Sequence, residues 1–232
     1  MNDVMSRTEI VEKLKTKPDV QDLIREIINQ PKLIPVYFDI INHEKSSVKF
    51  LGEKALRGIS EVDPELLYPY FSDIVALLDS DNSFIKWGGI ITLSNLVVTD
   101  HEKIFLKVYD KYFSMLDSQT MVTAANAAGN AWKIARKYPE LEPDITKRLL
   151  SITDNTYYHK GEPSPECKNV LYGHIIECFD KYYQQSTCKK EMLAFVASQR
   201  NNPRKKVAKS AASFLKKYAQ DAKLKDPDTN SN

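Results

Sequence analysis

The sequence predicts an all-α fold built from repeated helical hairpins, and three observations carry that prediction. An apolar stripe at positions i, i+4, i+8 and i+11 recurs along the 232-residue chain at steps of 37, 38, 44 and 40 residues. A second apolar segment of helical period stands before each copy. Only 7 glycines occur, and the alternation of a half-buried strand is scarce. A two-helix unit of about 40 residues cannot cover its own apolar faces, so such units stack into an α-solenoid.

The chain begins with Ser6, placed to cap a short helix through about Leu14. A second helix follows from Pro18, with Leu23, Ile24, Ile27 and Ile28 on its apolar side. Pro31 restarts the chain, and PKLIPVYFDIINHE reads as a helix ending near His43. The first stripe is then Val48, Gly52, Leu56 and Ile59. The stretch 64–96 shows the hairpin most clearly, with Leu67, Phe71, Ile74, Leu77 and Leu78 on one helix. Pro64 suits the first helical position there and Asp63 the N-cap. Across the polar turn 79–83 lie Ile85, Gly89, Leu93 and Leu96. Further stripes are Thr123, Ala127, Ala131 and Ile134; Cys167, Leu171, Ile175 and Cys178; and Val207, Ala211, Leu215 and Tyr218. Their partner helices are expected at Ile104 to Leu116, Leu141 to Ile152 and Met192 to Ser198. The longest step contains NTYYHKGEPSPE, whose Gly161, Pro163 and Pro165 mark an inserted loop. Gly52, Gly89, Ala127 and Ala211 share one stripe position, where small side chains would let adjacent hairpins approach. Glycine in a helix costs up to about 1 kcal/mol relative to alanine, which close packing would offset.

In these residues the chain resembles the HEAT-repeat family. LYPYFSDIVALLDSDNSFIKWGGIITLSNL carries its pattern: Pro69 in the first helix, Asp79 and Asp81 at the turn, then Ile85-Lys86, Gly89, Leu93 and Leu96. Pro35 with Val48-Lys49, and Pro143 with Cys167-Lys168, are similar features in other units. Thr123-Ala124 and Val207-Ala208 depart from it, lacking the basic second residue. The resemblance implies a right-handed α-α superhelix of about five hairpins over residues 31–218. Residues 1–30 would form N-terminal capping helices and 219–232 a flexible tail. It also implies a polar ladder in which Asp79 pairs with Lys49 or Lys86. Members include scaffolds, enzymes and DNA-repair proteins, so the fold alone does not choose a function.

Catalytic and metal-binding motifs are sparse. There is no GxSxG, P-loop, GxGxxG or acidic metal loop. His43-Glu44 and His101-Glu102 invite comparison with an iron-binding HEAT-repeat hydroxylase, but they lie 58 residues apart, off the repeat period, and read as helix-end residues. Cys167, His174 and Cys178 share a helix face, yet Cys167 and His174 are separated by roughly 10 Å along the axis. Cys188 is the one further candidate ligand, and the set reads as core. Neither catalytic residues nor a cofactor or metal is expected. Trp87 and Trp132 read as half-buried helix residues. Tyr157-Tyr158-His159-Lys160 could pack as a loop or stand exposed for recognition.

Charge supplies the remaining signal. Residues 181–225 hold 12 Lys and Arg against Glu191 and Asp221 alone. Arg200, Arg204, Lys205, Lys206, Lys209, Lys216 and Lys217 surround the last stripe. They could serve as the polar cap that a terminal repeat needs, or bind an acidic partner. Nucleic acid would be held there through its phosphates, with strong salt dependence. No apolar run approaches the roughly 20 residues of a membrane span. Three cysteines without a CxxC pair, and a start lacking an apolar leader core, fit a cytoplasmic protein. The expected function is a non-enzymatic scaffold that binds a protein or peptide on the concave face of its second helices. Candidate contacts are Lys49, Glu53, Lys86 and Ile90, read as exposed, with Arg204, Lys205, Lys206 and Lys209 at the basic end. The alternative is a nucleic-acid-binding protein that uses the basic end, DNA repair being one such role.

Overall fold

The computed structural model describes residues 5–220, and its contacts divide the chain into two compact units, Met1–Tyr112 and Phe113–Asn232. Most of the expected 219–232 tail therefore lies outside the described residues. The first unit contains α1 (Arg7–Lys15), α2 (Val20–Asn29), α3 (Ile34–His43), α4 (Val48–Val62), α5 (Phe71–Leu77) and α6 (Ser83–Leu96). The short α7 (Tyr109–Phe113) spans the division. The second unit holds α8 (Met121–Lys137), α9 (Glu142–Leu150), α10 (Pro165–Tyr182), α11 (Lys189–Ser198) and α12 (Lys205–Lys217).

Local chemistry accounts for where these helices begin. Ser6 Oγ accepts from Glu9 N–H at 3.3 Å while Glu9 Oε2 accepts from Ser6 N–H at 2.7 Å, a complete capping box. The second helix starts beyond the expected Pro18, because the Asp19 carboxylate takes the Gln21 N–H at 2.8 Å. Asn82 Oδ1 caps α6 by accepting from Phe84 and Ile85 N–H. Asp63, the cap expected from sequence, makes no side-chain cap; Pro64–Leu66 and Tyr68–Tyr70 form 3₁₀ turns, leaving α5 only seven residues. Pro69 explains the break, since it lacks an N–H and its ring crowds the preceding turn. The expected Ile104–Leu116 helix is likewise a 3₁₀ turn, the short α7 and a second 3₁₀ turn. There the buried Asp100 carboxylate takes the Ile104 and Phe105 N–H groups, at 2.9 and 2.8 Å.

Second helices pack side by side, α2–α4–α6 in one unit and α8–α10–α12 in the other, with α3 against α4, α5 against α6 and α11 against α12. The first four stripes are buried at every position. Each Leu or Ile so covered contributes roughly 1.5–3 kcal/mol, which dominates the local ion pairs. The last stripe differs by one residue. Phe214 is buried and Leu215 only half-buried, because the Phe214 ring packs edge-on against Tyr183 at 5.2 Å and Tyr218 at 4.7 Å.

The stripe glycines act differently from expectation. A Cβ on Gly89 would stand 2.7 Å from Leu77 Cβ, and one on Gly52 would stand 3.4 Å from Tyr37 Cδ1. Both neighbours belong to the same hairpin, so these glycines close the hairpin on itself. Close approach between hairpins falls at Gly58, against Ile24 of α2, and at Gly88, against Glu53 of α4.

Candidate partner-binding surfaces

In the first unit the second helices present an aromatic and basic face. Phe84 follows the α6 cap and keeps 63% of its surface exposed. Its ring lies 5.7 Å from Phe50 of α4 and 5.1 Å from Trp87, edge-on to both. Lys49 Nζ stands 5.6 Å from the Phe50 ring. Lys49, Lys86, Phe50 and Trp87 are half-buried, as expected for Trp87. Such a surface offers apolar area, ring edges and positive charge together.

Two candidate contacts are not where the sequence reading put them. Ile90 is fully buried and Glu53 nearly so. Each follows a stripe glycine by one residue. For Glu53 that position turns toward α6, where it fits against the bare Cα of Gly88 and accepts from Arg57 Nε at 2.9 Å. Burial raises its pKa, with the Arg57 charge opposing. Exposed Phe84 and half-buried Trp87 form the face instead, and their signal lay in their helical offset i, i+3. Asp79 pairs with Lys111 at 2.6 Å rather than with Lys49 or Lys86, so the ladder implied by the resemblance is not built there.

In the second unit the basic end is partly neutralised. Arg204 pairs with Glu166, Lys206 Nζ lies 3.4 Å from Glu177, and Lys217 Nζ lies 2.8 Å from Asp180. All three acids come from α10, outside the sequence window that looked uniformly positive. Exposed pairs of this kind contribute only about 0–1 kcal/mol each, but they cancel charge locally. Lys205 and Lys209 remain exposed, with no ion pair among the described residues. A groove of about 440 Å³ runs along the surface where α10 meets α12, lined by Ile176, Glu177, Asp180, Lys206, Lys209 and Phe214, among others.

The inserted loop divides between its two readings. Tyr157 is buried and donates its hydroxyl to Leu116 O at 2.8 Å; Asn155 Nδ2 reaches Asp117 Oδ1 at 3.0 Å. Tyr158, His159 and Lys160 are exposed on a small antiparallel hairpin, Tyr158–His159 with Glu162–Pro163, turned through Gly161 at φ +85°.

His43 ends α3 and His101 lies in the bend before the Ile104–Val108 3₁₀ turn, with separate partners, Asp39 and Glu65, each at 2.9 Å. Among the described residues no three His, Cys, Asp or Glu side chains are grouped to hold a metal. Cys167 and Cys178 are buried, and burial pushes the Cys178 thiol up to about 12. His174 of α10 faces α8, with Nδ1 3.5 Å from where a Gly129 Cβ would lie. Burial lowers its pKa; Glu177 opposes this, while Lys206 and Arg204 reinforce it. A histidine held neutral in the fold stabilises fully above its unfolded pKa near 6.5, and that stability is lost as pH falls below it. Between about pH 7 and pH 5 the melting temperature of the natural protein is therefore expected to fall more than that of His174→Gln. Parallel profiles would show that His174 is not responsible.

No protein-family model matches the chain, and no curated protein matches it. Solved structures do. The designed armadillo repeat protein YIII(Dq)4CqI superimposes with a TM-score of 0.56 at 15% identity, over 92% of this chain and 95% of that one. The designed armadillo repeat protein YIII(Dq.V1)4CPAF, in complex with peptide (KR)4, has a TM-score of 0.56 at 15% identity over 91% and 93%. At that identity the likeness carries the fold alone, and with the stacked second helices it identifies an all-α repeat solenoid of armadillo/HEAT type.

Proposed function

We propose that this chain is a non-enzymatic scaffold that docks a protein or peptide segment on the exposed face of its second helices. The observation that carries the reading is Phe84, a large apolar side chain left mostly in water beside Phe50 and Trp87. Exposed aromatic clusters of this kind are characteristic of binding surfaces. The peptide complex formed by a designed neighbour supports the reading, since the same fold there holds a peptide. Residues 1–30 are proposed as an N-terminal cap on a 31–218 solenoid. The free thiols of Cys167, Cys178 and Cys188 fit a reducing, cytoplasmic setting. Lys49, Lys86, Lys205 and Lys209 are retained as candidate contacts. Arg204 and Lys206 are already engaged with α10. That engagement weighs against the alternative of nucleic-acid binding through the basic end.

Selection from a random peptide display library on the full chain tests the scaffold. Peptides should enrich over a blank surface, and Phe84→Ala should weaken them about tenfold, the loss typical of truncating an aromatic anchor. No enrichment, or binding indifferent to Phe84, would remove the proposal's support.

A further inference from the structure

The chemistry of the first-unit face specifies its ligand further, on the assumption that the face docks a peptide. Phe84 does not serve the core: its neighbour Ile85 is the buried stripe residue, and Phe84 points away from it into solvent. Several basic side chains of this unit are engaged: Arg7 with Asp39, Lys13 with Glu26, Arg25 with Asp22, Arg57 with Glu53 and Lys111 with Asp79. Lys49, at the Phe50 ring, and Lys54, one turn beyond Phe50, have no ion pair among the described residues. The acids beside them do little to offset this charge. Glu53 is buried on Arg57, Asp81 lies in the turn before α6, and Glu61 stands near the far end of α4, roughly 18 Å along the axis from Lys49. The face is therefore cationic as well as aromatic, opposite in sign to what the (KR)4 peptide of the designed neighbour would match.

We propose that the Phe50–Phe84–Trp87 face binds an acidic peptide segment carrying an aliphatic or aromatic anchor, which packs on Phe84 while flanking carboxylates meet Lys49 and Lys54, the latter one helical turn beyond Phe50. Lysines among aromatics can also hold single-stranded nucleic acid, by stacking bases on ring faces. The rings here meet at 61° and 66°, turning edges toward one another instead of forming parallel platforms, which favours the peptide.

Fluorescence anisotropy with the full chain tests this, using labelled octapeptides of alternating Glu-Phe, Lys-Phe and Glu-Ser and a labelled oligothymidine. The Glu-Phe peptide should bind at least about tenfold more tightly than the other three probes, since it alone supplies anchor and charge. Its affinity should fall severalfold between about 50 and about 300 mM salt. Phe84→Ala and the pair Lys49→Glu, Lys54→Glu should each weaken it about tenfold with unchanged melting, while Lys49→Arg, Lys54→Arg should retain it. Equal or tighter binding of Lys-Phe, lost in Phe84→Ala, would overturn the acidic assignment and leave the scaffold reading standing. Equal binding of Glu-Ser would overturn the anchor. Glu-Phe binding indifferent to all the substitutions would overturn the site. Oligothymidine binding more tightly than every peptide, or no peptide binding at all, would overturn both the inference and the reading beneath it.

Discussion

Replacing Glu142 by alanine is expected to destabilise the protein by about 3–5 kcal/mol, seen as a lower denaturation midpoint. Glu142 opens α9 and is only 4% exposed. Its Oε1 accepts from Thr146 Oγ1 and Ser186 Oγ, both at 2.7 Å. Oε2 accepts from the Thr187 backbone N–H and hydroxyl, both at 3.0 Å. Thr146 Oγ1 also meets the Tyr182 hydroxyl at 2.9 Å, and Ser186 Oγ accepts from Cys188 N–H at 2.9 Å. One carboxylate thus joins the start of α9 to the segment between α10 and α11. Alanine removes the acceptor from four donors, and an unsatisfied buried donor costs roughly 1–3 kcal/mol before relaxation. Glu142→Gln should lose less, about 2 kcal/mol, for a geometric reason. Three of the donors are hydroxyls that can rotate, whereas the Thr187 N–H cannot turn away from an incoming amide NH₂. A loss below about 1 kcal/mol for Glu142→Ala would mean that water replaces the carboxylate and that the network is not structural.

Gly89→Ala and Gly52→Ala are expected to shift stability in opposite directions, although both occupy the same stripe position. Alanine is better than glycine in a helix by about 1 kcal/mol, so each substitution begins with that gain. At Gly52 the new methyl would meet Tyr37 Cδ1 at 3.4 Å and Ile41 Cγ1 at 3.7 Å, ordinary contact, and the gain should survive. At Gly89 it would meet Leu77 Cβ at 2.7 Å and the Leu77 carbonyl carbon at 3.3 Å. Those atoms are fixed to the α5 backbone and cannot swing aside. The hairpin must open, and overpacking of this kind costs about 1–3 kcal/mol net. Thermal melts of the two variants decide the matter. A stabilised Gly89→Ala would show that α5, only seven residues long, shifts freely against α6.

The apolar stripes were legible because burial follows a local period. A side chain at i, i+4, i+8 or i+11 lies on one helix face whatever that face meets, so Val48 to Ile59 and Cys167 to Cys178 could be read as core directly. Ser6 was legible for the same reason, since its capping partner Glu9 is three residues away. Leu215 shows the limit: stripe spacing does not distinguish i+7 from i+8, and the Tyr183 ring drew Phe214 inward instead.

The binding surface was less legible because exposure at the edge of a stripe is set by another helix. Glu53 looked like a solvent residue on α4 taken alone; Gly88 on α6 leaves the space that buries it. The basic end looked uncompensated within its own window, yet Glu166, Glu177 and Asp180 reach it from α10, about one repeat earlier. By itself the sequence determined the second helices, their recurrence and the residues of the first four core stripes, all consequences of spacing within one helix or hairpin. Only the tertiary structure decided which polar residues are buried, which charges are cancelled and that Phe84 faces water, because neighbouring second helices set each of these across some 40 residues of chain.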